Sequence, residues 1–344
     1  MTKSSKEIKH EKIPAEEQCQ ALKDTLIFSG SAHPKLAEEI AHYLRLELSP
    51  TQIRKFSNDN FYVHLGTSVR GSDVFIIQPL APPCSDNLLE LLLMLDVARG
   101  AAAKSIHAVI PYYSYARSDK KDAPRISIAA RLIADLLVTA GADHVISMTL
   151  HSPQVHGFFS VPADHLTAHS VFLDHLSEKD LSNSVVLSPD IGHAKRAAKL
   201  AHALGIPIAA GEKMRMSDNS VAISGVMGDV RGKDIIVMDD EIATAGTIVE
   251  TIKYLRSFNI QRVTVIGTHG LFTGDAVKRL NEIEEIDEIV IANTVPLPED
   301  RKPERLKVLS VGPIFGEVIR RNVCGESVGT LFEFWPTHKV KPIE

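Results

Sequence analysis

Cysteine is scarce: the 344 residues hold three, Cys19, Cys84 and Cys324. They lie far apart with no Cys-x-x-Cys pair, which argues against a disulfide framework or a zinc site and points to a reducing compartment. No apolar run approaches the roughly 20 residues needed to span a bilayer, so no membrane partner is expected. Neither sign of charge dominates. Lys and Arg number 38 against 43 Asp and Glu, for a net charge of −5, and the basic residues are scattered. Nucleic-acid binding through a basic face is therefore not expected. The start, MTKSSKEIKHEKIPAEEQCQALK, lacks the apolar core of a signal peptide. It reads as a polar N-terminal extension over 1–24, and the cytoplasm is the expected location. Histidine is plentiful at 15. Yet the spacings of His151, His156, His165, His169 and His175 match no helical HxxxH pair with a supporting acid, so most of them read as surface or packed residues.

What is present is a soluble globular pattern, 44% hydrophobic and 24% charged, in a chain long enough for about two domains. Short β-branched runs (DVFII, SIHAVI, HVISM, SVVLS, DIIVM, RVTVIG, EIVIAN) alternate with amphipathic segments such as SIAARLIADLLVTAG and TIVETIKYLRSF. That alternation predicts an α/β fold with parallel sheets flanked by helices. Gly100, Gly141 and Gly205 read as helix stops. A repeat runs through the chain: the segment from Arg70 (RGSDVFIIQ) matches that from Arg231 (RGKDIIVMD) over about 35–40 residues, each Arg-Gly-x-Asp, strand, loop, helix, strand. Two similar halves follow, at 25–164 and 165–336, with a tail at 337–344.

The richest chemistry lies in DDEIATAGT (239–247). The strand DIIVM ends where Asp239 begins, which places two carboxylates at the C-terminal edge of a sheet, where open α/β folds bind ligands. A loop of small residues then enters a helix, and its backbone N–H groups and dipole favour an anion. Two acids beside a phosphate cradle suit a sugar phosphate, the acids meeting ribose hydroxyls or a bound Mg2+. Thr247 with Glu250 also fits a capping box. Capping accounts for a threonine but not for two adjacent acids ending a buried strand.

DDEIATAGT resembles the ribose-phosphate loop of the phosphoribosyltransferases and of the ribose-phosphate diphosphokinases. KFSNDNFYVHLGTSVRGSDVFIIQ (55–78), the segment 86–137, LHSPQVHGFFSVPADHL (150–166), SPDIGHAKRA (188–197) and ANTVPLP (292–298) resemble the diphosphokinases specifically. The resemblance runs from about Ile27 to Trp335. It implies two phosphoribosyltransferase-like (Rossmann-like) domains and Mg2+-dependent transfer of the diphosphoryl group of ATP to the 1-hydroxyl of ribose 5-phosphate, giving phosphoribosyl diphosphate (PRPP) and AMP. It also implies a homo-oligomer, dimer or hexamer, with the nucleotide site shared between subunits.

Carried over by position, the resemblance puts Phe56, Asn58 and Asn60 on an adenine-contacting hairpin. Arg117 and Ser118 would meet the ATP phosphates, with Ser118 in place of the family's usual Gln. His151 and Asp190 would lie at the metal, with Thr149 where an acid is typical. Lys213 and Arg215, in GEKMRM, would be the catalytic cations of a closing lid. Asp239 and Asp240 would contact ribose. Thr244, Ala245, Gly246 and Thr247 would hold the 5-phosphate beside Ala243, which stands where most relatives have Asp. Glu241 or water is the expected replacement for that acid. Two alternatives remain: a catalytically impaired homologue serving as a regulatory or structural partner subunit, and a phosphoribosyltransferase. The retained Lys213, Arg215, His151, Asp190, Asp239 and Asp240 favour the enzyme, and the full first half argues against the transferase.

Overall fold

The computed structural model describes residues 20–190, 192, 194–217 and 220–332, without the side chains of 20, 21, 213–217, 220–223, 330 and 332. The expected N-terminal extension up to residue 19, Ile191, His193 and the tail lie outside the described residues. The strands are β1 (Thr25–Ser29), β2 (Leu48–Ser49), β3 (Thr51–Lys55), β4 (Phe61–Leu65), β5 (Asp73–Ile77), β6 (Ser105–Ile110), β7 (His144–Met148), β8 (Ala163–Leu166), β9 (Ser184–Ser188), β10 (Ile208–Ser217), β11 (Ser220–Met227), β12 (Asp234–Ile242), β13 (Val263–Gly270), β14 (Ile286–Ala292) and β15 (Leu306–Leu309). The helices are α1 (Pro34–Leu44), α2 (Cys84–Gly100), α3 (Ala129–Ala140), α4 (His169–Ser177), α5 (Ala194–Leu204), α6 (Gly246–Leu255), α7 (Ala276–Asn281) and α8 (Gly312–Cys324).

Two sheets result, parallel throughout except for the β10–β11 pair. The first has the order β2-β1-β5-β6-β7-β8 and the second β11-β10-β9-β12-β13-β14-β15; β3 and β4 form a separate hairpin. DVFII, HVISM and SVVLS are buried at every position, because a parallel strand covered by helices on both faces needs an unbroken apolar run. The helices supply the cover through one face: α1 buries Leu36, Ala37, Ile40, Ala41 and Leu44, the i, i+4 stripe of an amphipathic helix. Its entry is fixed by Pro34 and by the His33 ring, which accepts from Leu36 N–H. Gly205 does turn left-handed after α5, at φ +70°. Gly100 instead stays the last residue of α2, and Ala102 takes the positive φ.

The sequence order of strands places the ligand edge. In the second sheet the chain leaves β9 toward β10 on one side and returns to β12 on the other. The loop after β9, which carries Asp190, and the end of β12, which carries Asp239 and Asp240, therefore flank the topological switch point. The corresponding crevice of the first sheet, between β1 and β5, is filled by the protein itself. Buried Glu90 accepts from Ser31 N–H and Ser31 Oγ, both at 2.6 Å, and from Gln78 Nε2 at 2.8 Å, and Gln78 Oε1 accepts from Ala32 N–H at 3.1 Å.

The first helical turn of the described residues and the last α-helix pack on the same region. The 3-10 turn Gln20–Asp24 buries Leu22, and α8 packs on α1, with Tyr43 donating to Glu317 at 2.9 Å and Asn322 donating to Asp164 at 3.0 Å. Cys84 is free, whereas Cys324 is disulfide-bonded, contrary to the expectation of no disulfide. Among the described residues no helix is long and apolar enough to cross a membrane. Gly316 sets the spacing of α1 and α8: a Cβ there would lie 2.4 Å from Tyr43 Cδ1. Gly→Ala in a helix ordinarily stabilises, but Gly316→Ala should lower the urea midpoint by the equivalent of about 1–3 kcal/mol through overpacking. A raised midpoint would contradict this packing.

Candidate active site at the seam between the two sheets

Both parallel sheets turn their C-terminal strand ends to one seam. The first contributes the 3-10 turn Ser114–Arg117 after β6 and the segment 149–151 after β7; the second contributes Asp239, Asp240 and Glu241. The strand carrying these acids is longer than the sequence indicates: β12 runs on through Ile242, pairing Asp239 with Gly267 and Glu241 with His269. The ladder therefore holds the acids rigidly, where a loop had been expected to begin.

Three cross-seam contacts and one within the first sheet fix residues 149–151. His151 Nδ1 lies 2.7 Å from Asp240 Oδ2, and Asp240 is 4% exposed. His269 Nε2 donates to the Thr149 carbonyl at 3.1 Å, and its Nδ1 lies 2.8 Å from Thr294 Oγ1. Leu150 N–H donates to His165 Nε2 at 2.9 Å, and Arg196 Nη2 donates to the Leu150 carbonyl. Thr149 itself sits at φ +44°, a conformation costly for a β-branched residue and sustained only where its surroundings over-determine it. Arg196 braces the 150–151 backbone, and its Nη1, like Thr149 Oγ1, is buried with no hydrogen-bond partner. Two orphaned polar atoms in native packing mark a place for a bound group or water.

Beside them, Glu241 accepts from Tyr112 OH at 3.1 Å and pairs with Arg117 Nη2 at 3.3 Å. Burial raises the Glu241 carboxyl above its ordinary range, and the Arg117 charge opposes that shift. Ala243, on the same face of the chain, rests its methyl on a small apolar cluster of Ala81, Tyr112, Leu271 and Val295. The side chain at the divergent position is thus packed.

The cradle is built as a helix entry. α6 begins at Gly246 with Ala245 as its N-cap in the left-handed conformation, φ +58°. Thr247 is already helical, its carbonyl accepting from Thr251 Oγ1 at 2.7 Å, so it is not the cap. Thr244 is exposed, and its carbonyl accepts from Arg279 at 3.3 Å. Asp190 follows β9 at the switch point, where Ser188 Oγ donates to its carbonyl at 2.6 Å. Ser118 ends the Arg117 turn, donating to Tyr115 O and accepting from Ala130 N–H. Phe56, Asn58 and Asn60 lie at the turn of the β3–β4 hairpin, which Lys55 ties to Asp86 of α2 at 2.8 Å. No hydrogen bond or ion pair among the described residues joins them to the seam. Phe56 is 53% exposed, tilted on Tyr62, so it is not a core residue. GEKMRM runs in β10 paired antiparallel with β11; the side chains of Lys213 and Arg215 lie outside the described residues. The sequence reading did not single out Tyr112, His165 or His269 as site residues, and only their three-dimensional partners reveal them.

A two-sheet α/β fold with paired acids and a helix-entry cradle at the switch point has the features of an enzyme that handles a phosphorylated sugar. Residues 25–141 match the family model of the N-terminal domain of ribose phosphate pyrophosphokinase, and 214–333 that of the phosphoribosyl synthetase-associated domain. Ribose-phosphate pyrophosphokinases of Deinococcus radiodurans and Wolinella succinogenes are 48% and 46% identical, each over 89% of this chain and 97% and 98% of their own. The crystal structure of phosphoribosylpyrophosphate synthetase from Mycobacterium smegmatis superposes with a TM-score of 0.82 at 39% identity, covering 88% of this chain and 99% of that one. The chain belongs to the ribose-phosphate pyrophosphokinase family, with the two-sheet phosphoribosyltransferase-like fold expected of it.

Burial holds His107, His165, His169 and His269 neutral, each lowered to about 4. The unfolded chain binds these protons near the ordinary value of 6.5, so the stabilisation is complete above that pH and is lost as pH falls toward 4. The urea midpoint should drop between pH 7 and pH 5, above the range where carboxylates titrate, by on the order of 1–2 kcal/mol per histidine. A midpoint flat across that window would contradict the buried neutral assignment.

Proposed function

We infer that this protein is a ribose-phosphate diphosphokinase, transferring the diphosphoryl group of ATP to the 1-hydroxyl of ribose 5-phosphate to give PRPP and AMP. The observation that carries the reading is the convergence of His151 and Arg117 from one sheet on Asp240 and Glu241 of the other. It occurs in a chain that matches relatives of the family over 89% of its length.

Ribose 5-phosphate enters from the second sheet. The Thr244–Thr247 backbone, opened by left-handed Ala245 at the N-terminus of α6, holds the 5-phosphate. Asp239 and Asp240, fixed by the β12–β13 ladder, accept from ribose hydroxyls and present the 1-hydroxyl. That oxygen attacks the β-phosphorus of ATP. The bond from the β-phosphorus to the oxygen bridging the α-phosphate breaks, AMP departs with the electron pair, and the hydroxyl proton is released. Arg117 binds the ATP phosphates, with Ser118 beside it. Lys213 and Arg215, carried on β10, neutralise the charge spread over the transferring group. The exposed Phe56, with Asn58 and Asn60, serves the adenine of a neighbouring subunit, so the functional unit is a homo-oligomer. Base stacking of this kind is worth about 1–3 kcal/mol.

Mg2+ suits this donor set. Asp190 offers the carboxylate oxygen that a hard cation prefers, and Mg2+ takes most of its other ligands from phosphates and water. His151 and Asp190 would hold it, and the ion supplies charge neutralisation across the ATP phosphates. Incubation with Mg-ATP and ribose 5-phosphate should give AMP and PRPP in equal amounts. ADP as the nucleotide product would contradict the reading. Lys213→Ala should lower kcat on the order of 10³-fold while leaving ribose 5-phosphate affinity within about twofold in calorimetry. Retained turnover would remove Lys213 from the chemistry.

A further inference from the structure

Glu241 is a carboxylate 10% exposed, and its hydrogen-bond donor and its ion-pair partner both come from the opposite half of the molecule. Tyr112 OH reaches Oε2 at 3.1 Å and Arg117 Nη2 reaches Oε1 at 3.3 Å. A buried carboxylate without such partners is strongly unfavourable, so this side chain is at rest only when the seam is closed. Arg117, by contrast, is more than half exposed, on the short 3-10 turn Ser114–Arg117. A long, exposed arginine samples many rotamers, and Glu241 selects among them the one that faces the seam. The contact uses one nitrogen of a guanidinium that has five N–H donors in a fixed fork, so pairing with Glu241 is compatible with a second anion on the same group. Glu241 and Ala243 lie two residues apart and project to the same side, where both meet Tyr112, one by a hydrogen bond and the other by apolar contact. The acid on this side of the sheet edge therefore stands at 241 and points at the nucleotide-side arginine.

We propose that Glu241 is a positioning residue that holds Arg117 in its phosphate-binding orientation, so that closing the seam and forming the nucleotide site are one event. The proposal rests on the assignment of Arg117 to the ATP phosphates. It predicts an effect on the nucleotide, not on the sugar, because Glu241 reaches across the seam while Asp239 and Asp240 serve ribose.

The test measures KM for Mg-ATP, KM for ribose 5-phosphate and kcat for Arg117→Ala, Glu241→Gln, Glu241→Asp and the double variant Arg117→Ala/Glu241→Gln. Gln keeps the size of the side chain and an acceptor for Tyr112 but removes the charge. Glu241→Gln should raise KM for Mg-ATP about five- to tenfold, the loss of one charge-assisted contact. It should leave KM for ribose 5-phosphate and kcat within about twofold. Glu241→Asp should fall between Gln and the parent. The double variant should match Arg117→Ala alone, since Glu241 acts only through that arginine. A purely structural role would instead lower the thermal midpoint and disturb both substrates alike, and that result overturns the proposal. So would additive effects in the double variant. An unchanged or lowered KM for Mg-ATP in Glu241→Gln, alongside a raised one in Arg117→Ala, would make Glu241 idle or a competitor of the phosphates. Should Arg117→Ala itself leave KM for Mg-ATP unchanged, the placement of Arg117 is wrong, and this proposal falls with it.

Discussion

The 2.7 Å hydrogen bond between His151 and Asp240 joins the ends of strands from two different sheets, and the rest of the site depends on that closure. Neither sheet carries the whole constellation. The first supplies His151 and Arg117 on short segments after β7 and β6; the second supplies the acids on a strand and the cradle at the start of α6. Holding them together takes more than one bond. His269, His165 and Arg196 each grip the backbone of 149–150; the two buried imidazoles stay neutral and act as fixed donor and acceptor, and the guanidinium donates. The positive φ at Thr149 is the local strain that this grip sustains.

The two halves repeat a βαβ pattern but do different work at their switch points. In the first, Glu90 and Gln78 occupy the crevice and satisfy the loop N–H groups at Ser31 and Ala32, and Gly30 admits no Cβ, since one would lie 2.3 Å from Gln78 Oε1. A buried carboxylate there serves as the anion that a substrate would otherwise supply. Among the described residues no such carboxylate plugs the entry to α6 in the second half, where left-handed Ala245 precedes the helix N-terminus. The two crevices are thus built differently, one closed on a carboxylate of the chain itself and the other shaped as a helix entry.

Much of this was legible in the sequence for a definite reason. Strands buried on both faces are unbroken apolar runs, so DVFII, HVISM and SVVLS declared themselves, and the amphipathic helices followed from their stripes. DDEIATAGT disclosed its acids and small-residue loop because those lie next to each other in the chain. What could not be read is what the seam creates: Tyr112 and Glu241 are 129 residues apart, His269 and Thr149 are 120 apart, and His151 and Asp240 are 89 apart. The extension of β12 to Ile242 and the antiparallel pairing of GEKMRM are likewise set by partner strands rather than by local preference. Thr247 looked like a cap because its side chain is right for one; the backbone instead starts the helix one residue earlier.

The central claim is that the seam assembles a site for moving two phosphoryl groups together. ATP labelled at the β-phosphorus, incubated with Mg2+ and ribose 5-phosphate, tests it directly. The account predicts that the label passes entirely to the phosphorylated sugar while the nucleotide leaves unlabelled as AMP. Label retained on the nucleotide, as ADP, would contradict it.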